Sequence, residues 1–163
     1  VLSLEKDYVE DFEVQSGDKF IKIKVGGIID RLDRTADGIR IVDYKTGRNI
    51  KLDFKNWSQL TDRNYSDRRK EIFQTLIYSD ILNRTENQPI LPTIYKLDNL
   101  FDEEFNPSVI INGTKLIYQC YISEFREIFS VVLTDIFNPE TIYDQVKDSQ
   151  KCSYCPYNKI CRR

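Results

Sequence analysis

Apolar and polar side chains alternate over Phe20, Ile21, Lys22, Ile23, Lys24 and Val25, the period of a strand with one buried face. The segment 20–29 therefore predicts a strand, and 2–14 shows the same alternation more loosely. Between them Ser-Gly-Asp at 16–18 is a turn signal, and Thr-Ala-Asp-Gly at 35–38 is another, followed by Ile-Arg-Ile-Val-Asp-Tyr-Lys. Three strands joined by tight turns predict an antiparallel meander. Residues 46–66 are polar and irregular. From 67 to 83 the period changes: Ile72, Phe73, Leu76, Ile77, Ile81 and Leu82 recur at helical spacings, with Asp67 as the expected N-cap and Lys70 where a capping box would place an acid. A strand is expected at 91–97, a short strand and turn at 109–113, and a second long helix at 114–138, stopped by Asn138 and Pro139. The fold class that results is α/β (α+β-like), a mixed sheet that begins with the meander and packs against the two helices. There is no internal repeat and no low-complexity segment.

The second hairpin carries a chemical oddity. If 35–38 is a four-residue loop, Arg34 faces Ile39, Leu32 faces Ile41, and Asp30 faces Asp43. Alternation then puts Asp30, Leu32, Ile41, Asp43 and Lys45 on one side of the sheet. Opposed residues have Cβ atoms roughly 4.5–5.5 Å apart, where like charges repel. A divalent cation between the two acids turns repulsion into attraction, and Mg²⁺ accepts two carboxylates plus waters. Lys45, beside the same cation, can orient or help deprotonate an attacking water, or neutralise charge on a phosphoryl oxygen. A one-residue slip in register would send the two acids to opposite faces.

Composition narrows the chemistry further. The chain has 163 residues, enough for one domain with a core, and is 40% hydrophobic and 31% charged. No apolar run approaches the roughly 18 residues of a membrane helix, and no secretory signal opens the chain, so no membrane partner is expected. Its first residue is Val and it contains no Met, so it reads as a piece of a larger polypeptide. With no histidine, imidazole general bases and imidazole metal sites are excluded. The net charge of −2 divides unevenly: residues 19–70 hold 14 Lys/Arg and 7 Asp/Glu, net +7, and the rest hold 10 and 19, net −9. A basic segment in an acidic chain points to a localised site for a polyanion.

The run Gly-Gly-Ile-Ile-Asp-Arg-Leu-Asp, followed after the turn by Ile-Arg-Ile-Val-Asp-Tyr-Lys-Thr-Gly, resembles the core of the PD-(D/E)XK nuclease superfamily, in particular its RecB-like branch. The hallmark of that branch is Gly-x-x-Asp on one strand and Asp-Tyr-Lys-(Ser/Thr) on the next. The resemblance implies a restriction-endonuclease-like core in which Asp30 and Asp43 bind Mg²⁺ or Mn²⁺ and Lys45 is the catalytic lysine. Gln74 and Tyr78 resemble the branch's Gln-x-x-x-Tyr motif; their spacing puts them on one helix face, where they contact DNA phosphate or support the site. Cys152, Cys155 and Cys161 have the C-x2-C-x5-C spacing with which several RecB-like nucleases end. In those proteins a fourth, upstream cysteine completes a [4Fe–4S] cluster.

The likeness runs from about Leu2 to Arg163, and the branch's upstream helix, with its metal ligand and its cysteine, has no counterpart. Glu5 is assigned to the strand pattern, and Cys120, within the second long helix, to the core. Three tail thiolates can also take Zn²⁺ or stay reduced; a zinc ribbon would need a second C-x2-C. The expected function is metal-dependent, exonucleolytic hydrolysis of DNA within a helicase–nuclease that processes ends for repair in the cytoplasm, the helicase being fused or a partner subunit. Arg31, Arg48 and Lys51 would hold the strand by its phosphates. The alternative is a non-catalytic DNA-binding or scaffolding module that retains the nuclease fold.

Overall fold

The computed structural model describes every residue except 48, 66, 143, 147–151, 154 and 163, so Arg48 and Tyr154 lie outside the described residues. The alternating segments form the expected meander: β1 (Ser3–Ser16), β2 (Lys19–Thr35) and β3 (Gly38–Lys45). Next come β4 (Asp53–Phe54), α1 (Ser58–Thr61), α2 (Lys70–Leu82), β5 (Ile90–Lys96), β6 (Ile110–Ile111), β7 (Thr114–Lys115) and α3 (Ile122–Phe137). The main sheet has the order β1-β2-β3-β5. Its first three strands are antiparallel and β5 runs parallel to β3, so the sheet is mixed. Parallel pairing needs a crossover, and α2 supplies it. The pairing of β1 with β2 brings their backbones so close at Gly26 that a Cβ there would lie 2.1 Å from the carbonyl oxygen of Tyr8. Only glycine fits that approach.

The β2–β3 register agrees with the hairpin arithmetic: Arg34 pairs with Ile39 and Leu32 with Ile41. Leu32, Ile39, Ile41, Ile90 and Ile94 of the sheet meet Ile72 and Leu76 of α2 in the core. On α3, Phe125, Phe129 and Leu133 recur every fourth residue and are buried. Phe125 stacks on Phe129 at 5.6 Å, and Phe12 of β1 meets Phe129 edge-on at 5.4 Å. Such aromatic pairs fix α3 against β1 and α2.

Four expectations change. Asp67 does not cap α2; it pairs with Lys51 and Arg69, Arg69 takes the N-cap position, and no side chain caps the helix. Residues 46–66 are not uniformly irregular, because Phe54 and Leu60 are 1% exposed and β4 pairs with β6. The second long helix begins at Ile122, not at 114: Asn112 and Gly113 adopt positive φ and turn the chain, β7 pairs back on β6, and a 3₁₀ turn (Tyr118–Tyr121) follows. Cys120 consequently sits in that turn and is exposed rather than in the core. Asn138, extended before Pro139, ends α3 as expected.

Two buried carboxylates tie elements together. Asp33 of β2, 4% exposed, accepts hydrogen bonds from Arg31 at 2.7 and 2.8 Å and from Arg40 of β3 at 2.7 Å. The bond from Arg31, the larger of the two favourable contributions, and that from Arg40 hold its carboxyl down at about 2 against the cost of burial. Of the expected phosphate contacts, Arg31 pairs here with Asp33 and Lys51 with Asp67. Asp80 of α2, fully buried, accepts the hydroxyl of Tyr118 at 2.7 Å and Nε of Arg126 at 2.6 Å, with Nη2 of Arg84 at 3.6 Å. Burial, and then Asp80, push the Tyr118 hydroxyl well above its ordinary range, so it stays a donor. A cavity of about 470 Å³ beside Asp80 is lined by Phe12, Arg84, Arg126 and Phe129; its charges neutralise one another, and it belongs to this anchor.

These anchors should be measurable. Asp80→Ala leaves the Tyr118 hydroxyl buried without an acceptor and should cost about 3 kcal/mol in urea unfolding. For Asp33 the lowered pKa means stability that is present above its ordinary 3.8 and lost as pH falls toward about 2. Asp33→Asn should therefore be less stable than the parent at neutral pH, and the gap should close in that acid window; a constant gap across it would show that the Asp33 charge is not the source.

Candidate active site

The carboxyl end of β3 holds two of the candidate residues, Asp43 and Lys45. Asp43 follows core Val42 and is itself 4% exposed. Lys45, two residues on and therefore on the same face, donates to Oδ1 of Asp43 at 2.9 Å and stands 2.7 Å from Oδ2. The ammonium thus stands against both oxygens of the buried carboxylate. Lys45 also donates to Oε1 of Gln74 at 3.1 Å, and Nε2 of Gln74 donates to the hydroxyl of Tyr78 at 3.2 Å. A polar chain thus runs Asp43, Lys45, Gln74, Tyr78, from β3 across to one face of α2. Tyr78 is 8% exposed and Gln74 holds the lysine, so both residues are bound into this polar chain.

Asp30 occupies an interruption in the sheet. The β2–β3 ladder stops at Arg31 and Val42, one step short of Asp30 opposite Asp43. At that step Oδ2 of Asp30 accepts the backbone N–H of Tyr44 at 2.8 Å. The β1–β2 ladder also skips a step there, between Leu4–Arg31 and Lys6–Ile29, where Glu5 faces Asp30. Glu5 has φ 43°, a left-handed conformation uncommon for a residue with a side chain. The break has a packing cause. Ile29 and Leu32 both lie in the core, yet residues three apart in a regular strand point to opposite faces, so β2 must change phase between them. The distortion turns Asp30 into a recess that it shares with Leu4, Glu5 and Tyr44.

The charges around Asp43 are unlike those around Asp33 and Asp80. Burial raises its pKa, Lys45 opposes the rise, and the charges of Asp30 and Glu71 add to it. The charge of Asp30 is thus felt at Asp43, although the two are not a ladder pair. Glu71, in the first turn of α2, was not singled out by the sequence, where it read as an ordinary polar position of an amphipathic helix. Its spacing was the available signal: it precedes Gln74 by three residues and Tyr78 by seven, so the three share one face. An acid placed among acids, with one lysine, sets this cluster apart from the ion pairs of Asp33 and Asp80.

The tail cysteines Cys152, Cys155 and Cys161 are free and partly exposed. Among the described residues no three His, Cys, Asp or Glu side chains are arranged to hold a metal ion. No described helix is long and apolar enough to cross a membrane.

The family described as the PD-(D/E)XK nuclease superfamily matches residues 3–162. The mixed sheet with flanking helices is consistent with a restriction-endonuclease-like fold. No curated protein matches the chain. A solved structure titled "Crystal structure of SSO0001" is similar over 98% of this chain and 59% of that one, with 15% identity and a TM-score of 0.42. This chain therefore spans less than two thirds of that protein's length.

The polar chain depends on a missing side chain. A Cβ at Gly27 would lie 2.9 Å from the Tyr78 hydroxyl, so Gly27→Ala should displace that hydroxyl and lower thermal stability by about 1–3 kcal/mol of overpacking. Adding Tyr78→Phe removes the colliding oxygen and should recover part of the loss. If the double variant melts no higher than Gly27→Ala alone, Gly27 is not making room for Tyr78.

Proposed function

The chain belongs to the PD-(D/E)XK nuclease superfamily, and on that footing we propose that it hydrolyses DNA phosphodiester bonds with Mg²⁺ or Mn²⁺ at Asp30 and Asp43, assisted by Lys45. One observation carries the reading: a buried carboxylate at a strand end feels the charge of a second acid and is paired at 2.7 Å with a lysine that Gln74 also holds. These residues fit a divalent cation. Their donors are all carboxylate oxygens, a set that suits Mg²⁺ or Mn²⁺ better than a soft metal. When bound, such a cation polarises a phosphoryl oxygen and acidifies a water.

The chain's own residues supply the rest. Lys45 has three donors, and Asp43 and Gln74 engage two of them. The third is available to a phosphoryl oxygen, where negative charge grows as the phosphorus is attacked, or to the attacking water. Gln74 cannot accept a proton and so keeps the ammonium aimed without consuming its charge. Tyr78, buried, holds Gln74 in turn.

The order Gly-x-x-Asp, Asp-Tyr-Lys-Thr, Gln-x-x-x-Tyr supports a finer reading: the RecB-like branch, exonucleolytic action, and a place in a cytoplasmic helicase–nuclease that processes DNA ends for repair, with the helicase fused or a partner subunit. The spacing of Cys152, Cys155 and Cys161 supports a [4Fe–4S] cluster in a longer protein that contributes a fourth thiolate. The basic excess of residues 19–70 supports DNA as the polyanion.

The test is cleavage of linear single- and double-stranded DNA with Mn²⁺. Asp43→Ala and Lys45→Ala should each reduce the rate at least about a hundredfold. Their metal-free stabilities should differ in sign. Asp43→Ala removes a carboxylate whose charge burial disfavours, so its stability at neutral pH should hold or rise; Lys45→Ala strips that carboxylate of its cation and should lower it. Parental cleavage by both variants would end the assignment. DNA binding without cleavage by the parent, with any metal, would favour the scaffolding alternative.

A further inference from the structure

We infer that Tyr44 is a stacking platform that seats one unpaired DNA base beside the scissile phosphate, so that the site acts on single strands; the inference rests on the function proposed above. Tyr44 lies between Asp43 and Lys45 in β3, and strand alternation sends its ring to the opposite face of the sheet from theirs. Its backbone still ties it to the site, because its N–H donates to Oδ2 of Asp30 at 2.8 Å. The residue is 38% exposed, and with Leu4, Glu5 and Asp30 it lines a recess of about 510 Å³.

The lining of that recess selects its occupant. Glu5 and Asp30 are acids and none of the four residues is basic, so a phosphate is repelled from it. Leu4, itself exposed, and the Tyr44 ring supply apolar walls. A nucleobase is flat and uncharged, stacks on an aromatic ring, and carries amino donors that a carboxylate accepts. A base can enter only after it has left its duplex partner.

The ring is held in place in advance. Nη1 of Arg31 donates to the Tyr44 hydroxyl at 3.1 Å. The ring leans on that of Tyr95, centroids 5.8 Å apart, and Nη1 of Arg40 donates to the Tyr95 hydroxyl at 3.3 Å. Both arginines are anchored on Asp33. One buried carboxylate thus orders two tyrosines through two arginines. A ring that is already ordered loses little entropy when a base stacks on it.

A plainer role competes. Tyr44 and Tyr95 are register neighbours in the β3–β5 ladder, and such a cross-strand aromatic pair stabilises a sheet by itself. A purely structural Tyr44 changes the melting temperature and affects single and double strands alike. A platform changes the balance between them.

The experiment uses linear single strands carrying 2-aminopurine, whose fluorescence falls when it stacks on an aromatic ring, with Mn²⁺-dependent cleavage of the same strands and of their duplexes. The parent and Tyr44→Phe should quench the fluorescence on binding, and Tyr44→Leu should not. Tyr44→Leu should raise KM for single strands about tenfold, with kcat retained and duplex cleavage unchanged. If the parent cleaves and Tyr44→Leu quenches and cleaves as the parent does, or loses single- and double-strand cleavage equally, the platform is overturned and the proposed function stands. Quenching by the parent without cleavage by any metal keeps the platform as a DNA-binding element and overturns hydrolysis. A parent that neither quenches nor cleaves overturns both.

Discussion

A carboxylate buried at the end of a strand, with a single lysine for company, is the constraint around which this molecule is arranged. Asp43 sits where β3 leaves the core, immediately after a residue with no exposed surface. Burying it costs free energy in its charged form, and Lys45 offsets only part of that cost. The lysine is useful only if it is aimed, and Gln74 aims it. Gln74 is useful only if α2 lies across the sheet at the right height, which Ile72 and Leu76 secure by packing on Ile41 and Ile94. Tyr78 reaches Gln74 because residue 27 has no side chain. Each link from sequence to site is therefore a packing requirement that ends in an electrostatic one.

The other buried acids show what a structural solution looks like. Asp33 has two arginines and a pKa held far down. Asp80 keeps one oxygen without a hydrogen bond, but Arg84 and Arg126 stand beside it and Tyr118 donates to its other oxygen. Asp43 alone among the three is surrounded by further acids. That imbalance disfavours the metal-free protein, and on the proposed function a bound cation would relieve it, a trade of stability for function.

Much of this was legible in the sequence, and the reason is local. Turn signals at 16–18 and 35–38 and period-two alternation fix a hairpin register, so Leu32 opposite Ile41 followed from counting. The helix face with Gln74 and Tyr78 followed from spacing of four. What was missed depends on contacts distant in the chain. Phe54 and Leu60 are buried by elements that come later, which their polar neighbours conceal. Residues 114–121 have helical composition, but the positive φ of Asn112 and Gly113 turns them into a β-return, and so Cys120 leaves the core. Asp67 looked like a cap because no pattern announces Lys51 and Arg69 as partners. The break at Asp30 arises from burying both Ile29 and Leu32, a tertiary demand on β2. Glu71 acquires meaning only once α2 is laid against β3.

The central claim is that the end of β3 is a cation site. The most direct measurement is an anomalous difference map from a crystal of the protein soaked in Mn²⁺. The account predicts a peak within about 2–2.5 Å of Oδ2 of Asp43, with Asp30 and Lys45 beside it. A well-ordered Mn²⁺ elsewhere, with Asp43 and Lys45 still paired only to each other, would contradict it.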